Sequence, residues 1–186
     1  HEILDDFKNI SNALLNLESH WTHNDLNDQN ILVKHNIGNL PEISGILDFG
    51  DLAFCPRICN IAICSAYLLI LPDVGIEKQL HFLKGYHLKN PISENELDIL
   101  YTLILVRIAV SYVNSIVMSK NKPDDPYVVI SQNDTKNFLL SMRENKDFIT
   151  ARFRNSCGFS PLKSSNDVEK FLNSRLNNFF PAIKGS

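Results

Sequence analysis

The first part of the chain shows one helical and two strand-like patterns of apolar residues. Apolar residues recur every three or four positions across residues 2–18, at Ile3, Leu4, Phe7, Ile10, Leu14 and Leu17. This spacing puts them on one face of a helix. Two short, mainly apolar runs at residues 31–34 and 43–49 predict paired strands joined by a loop at residues 35–41. Trp21 and Thr22 predict a short strand ahead of that hairpin.

The rest of the chain is predicted to be mostly helical. Helical spacing recurs at residues 57–71, 76–88, 97–118, 135–142, 146–154 and 167–180. Pro56 stands where a helix can begin, and Ser93 and Glu96 have the S-x-x-E spacing of a capping box before the longest helix. A short hairpin embedded in helices predicts an α+β fold, mostly α, and residues 1–186 have the length of one domain.

Candidate chemistry lies beside the predicted hairpin. Residues 23–30 read H-x-D-x-x-x-x-N, and D-F-G follows at residues 48–50. In phosphoryl transfer such a loop brings a base to the substrate hydroxyl, while amide and carboxylate oxygens bind Mg²⁺. Asp25 is therefore the candidate base, and Asn30 and Asp48 are the candidate metal ligands. The structural alternative is a hairpin whose Asn and Asp residues only form turns.

These two segments resemble the aminoglycoside phosphotransferase and choline kinase-like superfamily, and within it they look most like hydroxylysine kinases. A weaker likeness extends over residues 20–145. The resemblance implies the C-terminal, large lobe of a protein kinase-like fold, with a catalytic loop at 23–30 and a DFG-like segment at 48–51. It implies that Asp25 is the base and that the cofactor is Mg²⁺ with ATP or GTP. It also implies that Asn30 and Asp48 bind the Mg²⁺ that accompanies the nucleotide.

Other residues near the motif have roles that the resemblance only suggests. His23 is expected to brace the loop through a hydrogen bond to backbone near Asp48. The family usually has Gly at the position of Asn24, and Asn tolerates the left-handed region better than most residues. It usually has an acid at the position of Asn60, which can still brace the loop without charge assistance. Two further residues could contact substrate, with an ordinary loop acid as the alternative for each: Asp51 and Asp28.

The sequence has no pattern for covering a nucleotide. It contains neither G-x-G-x-x-G nor a P-loop, and only 22 residues precede the motif. We therefore expect the N-terminal nucleotide-covering lobe to be absent from this chain and the isolated lobe to be inactive or nearly so. The interpretation is a C-terminal lobe of a larger kinase-like protein, with a truncated relative as the alternative.

Charge, cysteines and apolar runs restrict the partners and the compartment. A net charge of −3 does not favour nucleic acid. The four cysteines lack C-x-x-C spacing and are predicted to be free thiols, which favours a cytoplasmic location. Residues 61–71 are too short to cross a membrane. Residues 97–118 are longer, but they include charged residues, so a buried helix and no membrane partner are expected. Arg107 among them is predicted to be a snorkelling or ion-paired residue at the core edge rather than a ligand contact.

The predicted function is transfer of a nucleotide γ-phosphate to a hydroxyl of a small amino-bearing metabolite. Hydroxylysine is the first candidate acceptor. Homoserine, choline and aminoglycosides are alternatives in the same class. The rival class is a non-catalytic pseudokinase or interaction module, which the missing lobe favours and the intact set of Asp25, Asn30 and Asp48 opposes.

Overall fold

The computed structural model describes residues 2–35, 38, 40–70, 75–121, 135–136, 138–139 and 145–164, without the side chains of residues 118, 119 and 121. The helices with described bounds are α1 (Glu2–Leu15), α2 (Arg57–Ile70), α3 (Gly75–Lys89), α4 (Glu94–Asn121) and α5 (Lys146–Ser156). The strands are β1 (Ser19–Thr22), β2 (Ile31–Lys34), β3 (Glu42–Ile46) and β4 (Ala53–Pro56), with a 3₁₀ turn at Asp28–Asn30. This mostly helical architecture with small antiparallel sheets confirms the predicted class and is consistent with a kinase-like fold.

The strands form two antiparallel pairs rather than one hairpin. β2 pairs with β3 as predicted, with Ile31 opposite Ile46 and a register shift between Leu32 and Val33. β1 pairs with β4, which the sequence did not predict because residues 53–56 are too short to show an alternating pattern. The predicted strand at 43–49 was too long. It ends at Ile46 because Asp48 takes a left-handed backbone conformation with φ 57°.

The core lies between α2 and α4, with α1 and α5 packed on α4. Leu100, Ile104 and Ile108 of α4 and Ile58 of α2 are completely buried. The apolar face of α1 is only partly buried against this core. The helices therefore form the packed core against which the loop after β1 lies.

The capping box at the start of α4 forms as predicted. The Ser93 backbone N–H donates to Glu96 Oε2 at 2.8 Å, and the Glu96 backbone N–H donates to Ser93 Oγ at 3.3 Å. Each bond satisfies a donor that a helix start leaves without an intrahelical partner. α4 begins at Glu94, directly after the predicted cap Ser93, and ends at Asn121, three residues beyond the predicted apolar run 97–118.

α4 is also the one helix in the described part of the chain with the length and apolar composition to cross a membrane, over Glu94–Val117. It packs against α1, α2 and α5, and 44% of its most apolar window is buried inside the structure. Among the described side chains of α4, the buried positions end at Ile108, and Val110, Val113 and Val117 are exposed, so the predicted buried helix is confirmed for its first half only.

The four cysteines are free thiols, as predicted. Burial raises the pKa of Cys59 and of Cys64 to about 11. Such thiols stay protonated near neutral pH, which makes them poor nucleophiles. The predicted helix at 167–180 lies outside the described residues, as does part of the predicted helix at 135–142.

Candidate active site

The loop at 23–30 leaves β1 through a left-handed turn. Asn24 has φ 65°, so the expectation that Asn can take the place of Gly here is confirmed. Its backbone N–H donates to Asn60 Oδ1 of α2 at 3.0 Å. The loop closes in the 3₁₀ turn, where Asn27 Oδ1 accepts from the backbone N–H groups of Gln29 and Asn30. The loop is thus tied to α2 at its first turn and capped at its end.

His23 joins this loop to the DFG-like segment. The side chain is buried, and its Nε2 lies 2.8 Å from the Leu47 carbonyl oxygen. The Asp25 backbone N–H donates to Nδ1 over a long 3.4 Å, which leaves the ring proton on Nε2 to be donated to Leu47. The ring also packs against Phe49, with centroids 4.8 Å apart. This hydrogen bond is the kind that the brace hypothesis requires, and the role itself stays a prediction.

The Asp25 carboxylate is held on both of its oxygens. Oδ1 accepts from Tyr67 Oη at 3.0 Å and from Arg107 Nη2 at 3.1 Å. Oδ2 accepts from Asn27 Nδ2 and Asn30 Nδ2, each at 3.3 Å. A carboxylate with donors on both oxygens has one defined orientation.

Asn30 lies between Asp25 and the DFG-like segment. Its Nδ2 also donates to the Asp25 carbonyl oxygen at 2.8 Å, and its own carbonyl accepts from the Leu47 backbone N–H at 2.9 Å. With the amide nitrogen turned toward Asp25, the structure shows no hydrogen bond from a described residue to Asn30 Oδ1. That oxygen is therefore available as a ligand.

Asp48 is exposed and follows Leu47 in a strained conformation. Its Oδ1 accepts from the Gly50 backbone N–H at 3.2 Å. A Cβ at position 50 would lie only 3.2 Å from the same oxygen, so glycine permits the close approach. Left-handed backbone at a non-glycine residue costs about 1–3 kcal/mol and is concentrated at functional sites.

The donor set fits a hard cation bound together with other oxygen ligands. Asn30 and Asp48 offer an amide and a carboxylate oxygen, the ligand type that Mg²⁺ prefers. No group of three or more His, Cys, Asp or Glu side chains in the described ranges could hold a metal by itself. A cation at Asn30 and Asp48 would thus need further oxygens, such as phosphates or water.

Asp28 and Asp51 stand apart from this hydrogen-bonded set. Both are exposed, and the structure shows no hydrogen bond or ion pair from either carboxylate to another described residue. Their suggested substrate contacts stay predictions. A cleft of about 300 Å³ beside the loop includes His23 and Asn60 in its lining but not Asp25, Asn30 or Asp48.

The residues that the sequence did not assign to the site are Tyr67 and Arg107. Tyr67 was not predicted to have a role, and Arg107 was expected only to be ion-paired at the core edge. It is ion-paired there, with Asp25 as its partner. One available signal was a lone arginine between the buried apolar positions Ile104 and Ile108.

Comparison with known proteins points to one class. Residues 2–87 match the family model described as "Phosphotransferase enzyme family", so this part of the chain is similar to that family. The match includes the loop, the DFG-like segment and α2.

The similar curated proteins are hydroxylysine kinases. The chain is 31% identical to that of Danio rerio over 118 residues, which are 63% of this chain and 30% of the relative. It is 35% identical to that of Xenopus laevis over 96 residues, covering 49% of this chain and 26% of the relative. For that of Mus musculus the identity is 36% over 95 residues, covering 49% and 25%. The chain thus spans less than a third of these relatives, and no solved structure matches it significantly.

Proposed function

We propose that this chain is the catalytic part of a small-molecule kinase that transfers the γ-phosphate of ATP or GTP to a hydroxyl of an amino-bearing metabolite. Hydroxylysine is the first candidate, because the similar curated proteins carry that name. Homoserine, choline and aminoglycosides are the alternatives to test beside it. The observation that carries the proposal is the fixed Asp25 carboxylate, hydrogen-bonded to Asn30 and linked through Leu47 to the segment that begins with Asp48.

Asp25 is the proposed base. The acceptor hydroxyl oxygen attacks the γ-phosphorus, the bond from that phosphorus to the β,γ-bridging oxygen breaks, and the nucleoside diphosphate leaves with the bond electrons. The hydroxyl proton passes to the Asp25 carboxylate. Most of the rate gain in such a transfer comes from positioning and charge stabilisation, so a fixed carboxylate suits the step.

Asn30 and Asp48 are the residues that would hold Mg²⁺. The metal, when bound with the nucleotide, would neutralise charge on the phosphates. In support, Asn30 directs its amide nitrogen to Asp25, which leaves its amide oxygen available. Asp48 is exposed and directly follows Leu47, whose backbone N–H donates to the Asn30 carbonyl oxygen. His23 and Asn60 would keep the two segments in place. Asp51 and Asp28 would attract the amino group of a cationic acceptor.

A second, nucleotide-covering lobe is part of the proposal. Support comes from apolar side chains that are about half exposed or more on β2, β3 and the segment that follows: Leu32, Val33, Ile43, Ile46, Leu47 and Phe49. Apolar side chains exposed in this number on one hairpin commonly mark an interaction site. The isolated chain should accordingly show no measurable kinase activity with ATP or GTP.

The test is steady-state kinetics on the full-length protein with an Asp25→Asn variant. The substitution is nearly isosteric, and loss of a general base costs about 10²–10⁴-fold in kcat. Nucleotide affinity, titrated on the same preparation, should change little. Asp5→Asn on the exposed surface of α1 is the control, since Asp5 pairs only with the neighbouring Lys8 among the described residues. A kcat for Asp25→Asn within a few-fold of wild type would rule out Asp25 as the base.

A further inference from the structure

Two side chains from the helical core reach the candidate base from outside the sequence motif. We infer that Arg107 of α4 and Tyr67 of α2 are positioning residues that fix the Asp25 carboxylate for phosphoryl transfer. The inference rests on the proposed function and extends it to residues 42 and 82 positions away from Asp25.

The two oxygens of Asp25 are held by different parts of the fold. The Oδ2 contacts come from Asn27 and Asn30, which belong to the same loop and move with it. The Oδ1 contacts come from Tyr67 and Arg107 and are shorter, at 3.0 and 3.1 Å. Only the Oδ1 contacts relate the carboxylate to the helices.

Tyr67 and Arg107 also hold each other. Arg107 Nη2 donates to Tyr67 Oη at 2.8 Å, and the guanidinium carbon lies 5.4 Å from the centre of the tyrosine ring. The hydroxyl can therefore accept from the arginine and donate to Asp25. Such a charge-assisted chain makes each hydrogen bond stronger and more directional than a neutral one.

Both side chains start from well-packed backbone. Ile104 and Ile108, on either side of Arg107 in α4, are completely buried, and Ala66, next to Tyr67 in α2, is 2% exposed. α2 and α4 form the main helix contact of the core. The position of Oδ1 is thus set by side chains from the best-buried part of the described fold.

Stability alone does not account for Arg107. Its Nε is buried and makes no hydrogen bond with any described residue, which is an unfavourable arrangement. Apolar residues in place of both Arg107 and Asp25 would remove that penalty, because replacing both partners of a buried ion pair by apolar groups is often neutral or stabilising. The arginine is better explained by what it does to Asp25.

The experiment compares kcat in the full-length protein for Arg107→Met, Arg107→Lys and Tyr67→Phe. Misplacing a reacting group by about 1 Å can cost roughly 10²-fold. We expect Arg107→Met to lower kcat by about 10–100-fold with KM for nucleotide little changed. Arg107→Lys should restore part of the loss, because it returns a cation, and Tyr67→Phe should lower kcat by a smaller factor.

Arg152 provides a matched control. Its side chain is 29% exposed against 28% for Arg107, it pairs with a carboxylate, Glu77, and it lies 5.8 Å from an aromatic ring, Phe148. Arg152→Met should leave kcat within about twofold of wild type, as surface substitutions usually do. If Arg107→Met lowers kcat no more than Arg152→Met does, the inference is wrong.

A double variant separates this inference from the proposed function. If Arg107 acts through Asp25, adding Arg107→Met to Asp25→Asn should cause no further loss of kcat, because residues that act as a unit are not additive. If the fold-losses in kcat of the two single variants multiply in the double variant, Arg107 works independently of Asp25 and the positioning role is overturned. An unchanged kcat for Asp25→Asn alone would instead remove the proposed function.

Tyr67→Phe decides the case if Arg107→Met does not fold. It removes one hydroxyl, and an unaltered kcat for this variant overturns the inference.

Discussion

The helical region and the hairpin region of this chain use apolar residues in opposite ways. On α4, Leu100 and Ile104 are completely buried, whereas on and after β3, Ile43 and Phe49 are 70% and 56% exposed. Both regions are rich in apolar residues, so composition does not distinguish them. The helices complete a core within the described chain, and the hairpin leaves its apolar surface uncovered.

The candidate site lies between these two regions. Asp25 is anchored to the helices through Tyr67 and Arg107, while Asp48 lies on the exposed segment that follows β3. The difference suggests a division of roles. The helices fix the proposed base, and the hairpin region carries the proposed metal ligand toward the proposed nucleotide-covering lobe. Four measurements test this division of roles and the packing on which it depends.

The largest effect is expected at Asp48. In the full-length protein with nucleotide, Asp48→Ala should abolish metal-dependent turnover, because a carboxylate ligand is lost. Asp48→Asn is the matched variant, since Asn tolerates the left-handed backbone and keeps one oxygen, so it should retain some activity at high Mg²⁺. Turnover by Asp48→Ala close to that of wild type would exclude Asp48 from the chemistry.

A pair of truncations tests the contrast in burial directly. Leu100→Ala should lower the free energy of unfolding by about 2–5 kcal/mol, as buried leucine truncations do. Ile43→Ala should change it by less than about 0.5 kcal/mol, as an exposed position does. Urea denaturation of both variants measures the difference. Equal losses would mean that the hairpin is as well packed as the helices, and the comparison would fail.

The Arg57–Glu96 pair at the start of α4 should give a pH-dependent effect. Arg57 Nε donates to Glu96 Oε1 at 2.8 Å, and Nη2 donates to Oε2 at 3.0 Å. Burial raises the pKa of Glu96, but the hydrogen bonds from Arg57 and Ser93 outweigh it and leave the pKa below the ordinary 4.5.

A lowered pKa in the folded state means that Glu96 stabilises the fold above its unfolded pKa and loses this effect as the pH falls through its folded pKa. Glu96→Gln should therefore cost about 1.5–3 kcal/mol at pH 7, the usual worth of charged hydrogen bonds. The difference from wild type should shrink below pH 4.5. Thermal unfolding at several pH values measures it, and a constant difference would contradict the charged pair.

The smallest effect is expected at Asn60. Asn60→Asp should strengthen the hydrogen bond to the Asn24 backbone N–H, because an ionised acceptor makes a stronger bond than a neutral one. A gain of about 1 kcal/mol corresponds to roughly fivefold slower hydrogen exchange at the Asn24 amide. Unchanged exchange would mean that the loop opens without breaking this contact.

Local patterns predicted the elements where a periodic, paired or capping signal marks them. The apolar face of α1, the β2–β3 pair and the capping box formed by Ser93 and Glu96 were identified in this way. The errors occurred where no such signal is present. Residues 53–56 do not alternate apolar and polar side chains, and the end of β3 depends on the backbone conformation of Asp48, which no periodic pattern encodes.

Local sequence patterns suffice to predict the class of fold, the resemblance to phosphotransferases and the order of the motif residues, because a spacing of a few residues decides which groups share a loop or a helix face. The side chains that hold Asp25 depend instead on how the helices pack. Tyr67 and Arg107 are separated from it by 42 and 82 positions, and their contact depends on how α2 and α4 pack. Helix packing places side chains according to the whole core, so no local pattern around position 25 could predict those two partners.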